Sequence, residues 1–459
     1  MKSKRTFIIG AFFLALPSVM QNIVTNLAGL VDNLMVGGLQ EHAIAGVMIT
    51  NQVVFICNLA IFGVIGTAGI FITQYNGIGD EKKVTEVFKI SLLFSLAFGI
   101  IFFLIMSFVP EFILSFLAED PDAITEARSY LRFIQYTLLI LPVTLAIASA
   151  YRFYGFVKIP MYLAMMTVAI STFLNFGLIQ GNFGMSALGV EGAALGTLIA
   201  RGIELVISLG LIIWIKSPIT IHFRSFFKLE ASMLRVFILK GYGLVINDLI
   251  WGLGFQALTV IYTMQITENI AAMSIWSTFA NLIWVGVGGL SVVFSIYLGE
   301  NLGRGDFDKA LSDAKILKKL SFFVGITLGV LVFILSIFLA RFYEVTPEIM
   351  RTGQTLLLIT VGVSWLIYLN TSYFAILRAG GDTKSVFILD SLFTWAVMIP
   401  VALITGRFGL PLPLRFFLVQ LSEVIKLGVA HWLYRKGTWL KNLTSESNED
   451  TAPCIPSCC

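Results

Sequence analysis

Asp32, Asp248 and Asp390 are carboxylates set in apolar runs, LAGLVDNLMV, YGLVINDLIWGLG and FILDSLFTW. A charge at the centre of a membrane helix costs at least about 2.5–3.5 kcal/mol on insertion scales, so each needs a reason to be there. A carboxylate held away from water and cations can take up and release protons near neutral pH, or it can coordinate a cation. The alternative for Asp32 is a hydrogen bond to a neighbouring helix, or a place at the outer interface. Trp251 follows Asp248 by three residues, on roughly the same helical face. A carboxylate beside an aromatic suits an organic cation through charge and cation–π attraction. Asp248 and Asn247 can also form one polar patch between helices, and Asp390 repeats the pattern with Trp395 further along. Arg201 with Glu204, and Glu423 with Lys426, are opposite charges spaced for local pairing. His42, His222 and His431 fall near span boundaries and form no cluster, so no metal site is expected.

The elements that must carry these residues follow from composition. The chain of 459 residues is 57% apolar and only 13% charged, against roughly a quarter charged in a soluble domain. So few charges cannot cover a water-exposed surface of this size. A helix needs about 20 apolar residues to cross the hydrocarbon core. Twelve such runs occur, near 7–36, 43–74, 87–110, 129–152, 160–182, 189–215, 234–265, 269–299, 316–342, 352–378, 384–405 and 413–434. The alternation of a membrane barrel is absent, so the expectation is an all-α membrane protein. No cleavable signal follows MKSKR, because the apolar run is too long and lacks a small-residue cleavage site. Lys and Arg crowd one set of loops, among them GDEKK, YRFYGFVK, GRGDFDKALSDAKILKK and RAGGDTK, and thin out in the other. That bias puts both termini in the cytoplasm. The net charge of +4 restates this bias and gives no sign of nucleic-acid binding.

The chain repeats itself. QEHAIAGVMI at 40–49 matches ITENIAAMSI at 266–275, and QYNGIGDEKKVTEVFK at 74–89 matches ENLGRGDFDKALSDAK at 300–315, both at an offset of 226 residues. The same offset equates Gly77 with Gly303, Asp80 with Asp306 and Arg152 with Arg378. Two six-helix bundles related by a parallel pseudo-two-fold repeat are expected. They comprise an N-terminal lobe over 1–216, a cytoplasmic amphipathic linker over 217–232, a C-terminal lobe over 233–441 and a disordered cytoplasmic tail over 442–459. The halves differ at the acids: Asp32 maps to Leu258, Asp248 to Asn22 and Asp390 to Ala164. Parallel repeats of this kind suit a transporter with substrate near the repeat interface. There is no GxxxxGK[ST], no HExxH and no nucleotide-binding domain, so no enzyme is expected and no cofactor. Energy would come from an ion gradient. Cys57 lies in a helix, and the three cysteines of TAPCIPSCC have no histidine at zinc-like spacing.

These motifs resemble the multidrug and toxic compound extrusion (MATE) family over about residues 7 to 435. LALPSVMQNIVTNLAGLVDNLMVGGL, NDLIWGLG, ILRAGGDTK and NFGLIQGNFGMSALGVEGAALGT carry the resemblance. It implies paired six-helix bundles that export cationic, often aromatic compounds in exchange for protons or sodium ions. Asp32 matches the helix 1 aspartate of the family's ion-coupling models, Asn175 and Thr197 match polar residues lining the same lobe, and Pro17 matches a helix 1 proline proposed to bend. A proline there removes one helical hydrogen bond, which also fits a hinge. The chain departs from the family at Ile179, where some members have a second carboxylate, and at Ile367, where some have an acid; here Asn370 lies nearby. These departures favour H+ over Na+ as the coupling ion.

The expectation is a monomeric inner-membrane antiporter for small organic cations. Asp32, Asn175 and Thr197 form its ion-coupling site, and Asp248, Trp251, Asn247 and Asp390 a second locus for substrate or cation. The 39 Phe supply lipid contact and, with Met, adaptable cavity walls. A lipid-linked oligosaccharide flippase of the same wider superfamily is the alternative, and would show arginines deep in both lobes. The mid-membrane charges read as mostly acidic, Arg201 being the main exception, which favours cations. A channel or scaffold would show no coupled flux.

Overall fold

The computed structural model describes residues 4–37, 39, 41–117, 120–220, 226, 228–263, 267–339 and 346–445. Parts of the linker, 221–225 and 227, and the tail from 446 on, with its three cysteines, lie outside the described residues. Among those described the structure is helical, with no strand.

The helices begin and end where the sequence supplies caps. Asp80 accepts from the Lys83 amide at the start of α3 (Glu81–Phe108), and its repeat counterpart Asp306 accepts from Lys309 at the start of α11 (Phe307–Leu339). Each cap satisfies an amide that has no partner inside its helix. Gly79 and Gly305, at φ 75° and 74°, turn the chain just before these caps. Gly155 and Gly381, at φ 107° and 69°, end the matched helices α6 (Thr137–Tyr154) and α12 (Pro347–Ala379). Such left-handed positions favour glycine, so the repeat is visible in backbone conformation as well as in sequence.

The remaining elements are α1 (Lys4–Gly37), α2 (Glu41–Ile78), α4 (Pro110–Leu117), α5 (Pro121–Ile134), α7 (Lys158–Gln180), α8 (Gly189–Trp214), α9 (Ala231–Thr263), α10 (Thr267–Gly303), α13 (Thr383–Phe387), α14 (Ile399–Arg407) and α15 (Leu412–Arg435). Two π-helical turns, Ile388–Leu392 and Thr394–Met398, join α13 to α14 in one continuous span. The run expected at 129–152 is broken at Gln135–Tyr136, between α5 and α6. Among the described residues, eleven helices are long and apolar enough to cross a membrane. The twelfth run, α15, has the length but carries Arg415, Glu423 and Lys426 within 24 residues. Exposed side chains such as Phe12, Phe13, Val206 and Ile213 lie on these helices. In water they would be a liability; against lipid they are in their own solvent.

The chain forms two compact units. Unit 1 holds residues up to Val19, Thr73–Gly79 and those from Ile246 on, and unit 2 holds Met20–Ile72 and Asp80–Val245. In unit 1, α12 packs on α10, α11 and α15. In unit 2, α7 packs on α8, and α3 on α6. Outside the spans, the Lys83 ammonium beside Glu230 holds that carboxyl below its usual range. Glu86 accepts from the Glu230 amide, so the chain just before α9 is clamped to the first turns of α3.

Candidate functional site

In unit 2, Asp32 on α1 is half-buried and accepts a hydrogen bond of 2.9 Å from Asn175 Nδ2 on α7. No Lys, Arg or His among the described residues pairs with Asp32, in contrast to Asp248 and Asp390 of unit 1. Asn175 is 1% exposed, and its Oδ1 is buried with no hydrogen-bond partner. Glycines on α8 explain the depth of this amide. A Cβ at Gly196 would overlap Asn175 Oδ1, and one at Gly192 would overlap the Leu178 carbonyl. Small residues four apart let two membrane helices approach closely. Thr197 follows Gly196, half-buried, and is not hydrogen-bonded to Asp32. Ile179, 2% exposed, packs in the apolar cluster with Val36 and Val190. The buried phenol of Tyr130 on α5, which the sequence did not single out, lies within electrostatic reach of Asp32.

Pro17 is buried inside α1, two residues before Val19, the last residue of α1 assigned to unit 1. The missing amide thus falls beside the point where this one helix passes from one unit to the other.

In unit 1 Asp248 and Asp390 each have a cationic partner. Arg378 of α12 reaches both oxygens of Asp248, at 3.1 Å and 3.4 Å. Asn247, 0% exposed, donates to Asp248 Oδ1 at 3.2 Å and accepts from Ser391 at 2.8 Å. Asp390 lies in the first π turn and pairs with Lys426 of α15 at 3.6 Å. Glu423 accepts from Asn370 Nδ2 at 2.7 Å, close to the position where Ile367 leaves an acid missing. Three carboxylates thus face two cations in one buried network. Trp251 stacks on Phe255, and Trp395 donates to the Ile250 carbonyl.

The network corrects two expectations. The charge held within the protein is not acidic alone: Arg152, Arg378 and Lys426 are half-buried, and Arg415, 2% exposed, donates to the Ile261 carbonyl. Reading Arg152 and Arg378 as loop residues hid them, although the 226-residue offset had paired them. Lys426 also reaches beyond its own helix, to Asp390, while Glu423 turns to Asn370. Arg201 and Glu204 do pair locally, at 2.7 Å.

Two repeats of helices long and apolar enough to span a membrane, with buried polar sites inside each unit, define a two-repeat helical membrane protein. The MatE family model matches residues 17–176 and 245–404, one stretch in each repeat, and the chain belongs to that family. A probable multidrug resistance protein NorM of Thermotoga maritima is 22% identical over 402 residues, covering 86% of this chain and 85% of that protein. The uncharacterized transporter YisQ of Bacillus subtilis is 25% identical over 401 residues, 83% of this chain and 84% of its own. Among solved structures, the Vibrio cholerae MATE transporter VcmN in its bent form superposes with a TM-score of 0.84 at 17% identity, covering 96% of this chain and 98% of that one. A MOP superfamily transporter from Pyrococcus furiosus gives 0.82 at 17% identity, with 92% and 93% covered. These likenesses carry the fold, and the family is one of transporters rather than enzymes.

Proposed function

We propose that this transporter is a secondary antiporter that exports small organic, cationic compounds across the inner membrane in exchange for protons, with sodium as the alternative ion. The observation that carries the reading is the Asp32–Asn175 pair. It joins a half-buried carboxylate, unpaired with any Lys, Arg or His among the described residues, to an amide whose oxygen has no partner. An ionised Asp32 accepts from Asn175 Nδ2. A protonated Asp32 can donate, and the unpartnered Oδ1 offers an acceptor once the amide turns over. Binding one proton thus exchanges two hydrogen-bonded arrangements of the same side chains. A bistable element of this kind is what a coupled transporter needs. Thr197 beside Gly196 supplies a further hydroxyl to this locus, and Pro17 gives α1 a place to bend.

Asp248, Asn247, Asp390 and Trp251 make the second locus, in unit 1. An incoming organic cation would there compete with Arg378 and Lys426 for the carboxylates. Both termini lie in the cytoplasm and the monomer is the working unit. The test is transport of a fluorescent organic cation by the purified protein in liposomes, under a pH gradient or a sodium gradient. Uptake driven by the pH gradient alone, and lost in Asp32→Asn, supports the reading; sodium-driven uptake moves the coupling ion to Na+.

The arginines within both units favour a second reading, export of an anionic lipid-linked sugar. It would be supported if neither gradient drove cation flux while a lipid-linked oligosaccharide crossed the bilayer.

A further inference from the structure

Arg152 and Arg378 occupy the same position in the two repeats. In unit 1 the Arg378 guanidinium has the Asp248 carboxylate on it. In unit 2 the residue equivalent to Asp248 is the neutral Asn22, and Arg152 Nη2 donates instead to Gln21 Oε1 at 2.9 Å. Arg152 Nε is buried and makes no hydrogen bond. No carboxylate among the described residues pairs with this side chain, which is itself half-buried. A cation taken out of water ordinarily keeps a counter-ion, and a guanidinium presents a planar fork of donors matched to a carboxylate or a phosphate. Unit 2 has kept the fork and lost the acid.

We propose that Arg152, with Gln21 beside it, is an oxyanion-binding site, and that it takes the carboxylate of a zwitterionic cargo. The proposal rests on the antiport reading above and narrows its substrate class. It also separates cargo from coupling ion. Gln21 and Asp32 are eleven residues apart on α1, which places them on nearly the same helical face, about 16 Å apart. A carboxylate held at Arg152 is thus kept away from Asp32, and neither repels it nor competes for its proton.

Rhodamine 110 and rhodamine 123 test this, because they share one fluorophore and differ in a free carboxylate against its methyl ester. The full chain in liposomes under a pH gradient is compared with Arg152→Gln and with Asn22→Asp. The second variant gives unit 2 the acid its counterpart has, and so occupies the guanidinium without removing it. Both variants are expected to cut rhodamine 110 transport about tenfold and to leave rhodamine 123 within about twofold, the loss typical of one charge-assisted hydrogen bond. A melting midpoint of Asn22→Asp at or above that of the parent excludes misfolding as the cause.

Equal changes for the two dyes, or no change for either, overturn the proposal. The phosphate of a lipid headgroup is the other source of the same chemistry. If added phosphatidylglycerol raises the melting midpoint of the parent and not of Arg152→Gln while the dye ratio stays fixed, the site belongs to lipid and the cargo assignment is overturned. If the parent moves neither dye, the antiport reading fails separately. The anion site is then judged by equilibrium anisotropy titrations of the two dyes, with the same tenfold contrast required.

Discussion

Arg378 and Asp248 hold each other in place on different helices, and removing Arg378 takes from the buried Asp248 carboxylate its cationic partner. Arg378→Ala is expected to destabilise the protein by about 3–5 kcal/mol. Adding Asp248→Asn should recover much of that loss, because the stranded charge goes with it. Thermal unfolding of the single and double variants in detergent checks both statements. Gly196→Ala makes a different demand, since its new methyl would occupy the space of Asn175 Oδ1. The expected outcome is loss of the Asn175–Asp32 hydrogen bond and of proton-coupled transport, with expression retained; transport at the parental rate would remove this amide from the mechanism. At this scale the sequence was informative about acids and poor about their partners. Asp32, Asp248 and Asp390 stand out because each is alone in an apolar run. Arg378 did not, because it ends its helix just before the glycines of RAGGDTK and reads as part of a basic loop. Asn175 came from family resemblance, since a lone asparagine in an apolar helix carries no signal of what it faces.

Helix ends give the next level its energetics. Asp80→Ala and Asp306→Ala each remove a cap from matched helices, and each is expected to cost about 1 kcal/mol. The two losses should add, because the caps share no partner, and chemical denaturation of the double variant measures this. The clamp between α3 and the segment before α9 is acid-sensitive. Lys83 holds the Glu230 carboxyl below its usual range, so the folded state binds a proton there less readily than the unfolded chain. The clamp's stabilisation is complete above the ordinary carboxylate range and falls away as the pH drops through the lowered value. Glu230→Gln should therefore melt below the parent at neutral pH, and the gap should close on acidification; a gap that widened would reverse the assignment. The two π turns were not legible at all. ILDSLFTWAVM has no Pro or Gly to mark an altered helical repeat, and only packing reveals it. These turns carry Asp390, Ser391 and Trp395, three residues that bond to neighbouring helices.

For the molecule as a whole, the spans and the duplication were readable because both depend on long stretches of sequence, where errors at single residues average out. The helix count survived even at α15, whose charges weaken its hydropathy while Arg415, Glu423 and Lys426 find their partners inside unit 1. The division into units was not readable from the offset alone, since α1, α2 and α9 each contribute to both. The inside-positive loops predict a topology that can be measured. A reporter fused after Ser445 should lie in the cytoplasm, and one inserted between α7 and α8, near Ser186, should lie outside. Reporters found on one side would require an odd number of crossings to be rewritten as even.

The glycine pair within unit 1 has a history written in it. A Cβ at Gly77 would overlap the Glu300 carbonyl, and one at Gly303 would overlap the Gln74 carbonyl. Gly77 corresponds to Gly303, and Gln74 to Glu300. Each side of the contact is therefore a copy of the other with partners exchanged, which is the signature of an isologous two-fold interface between identical chains. A half-length ancestor would already have carried both faces of this joint and could have closed on a second copy of itself. The two halves now differ at their acids, Asp248 standing opposite Asn22 and Asp32 opposite Leu258.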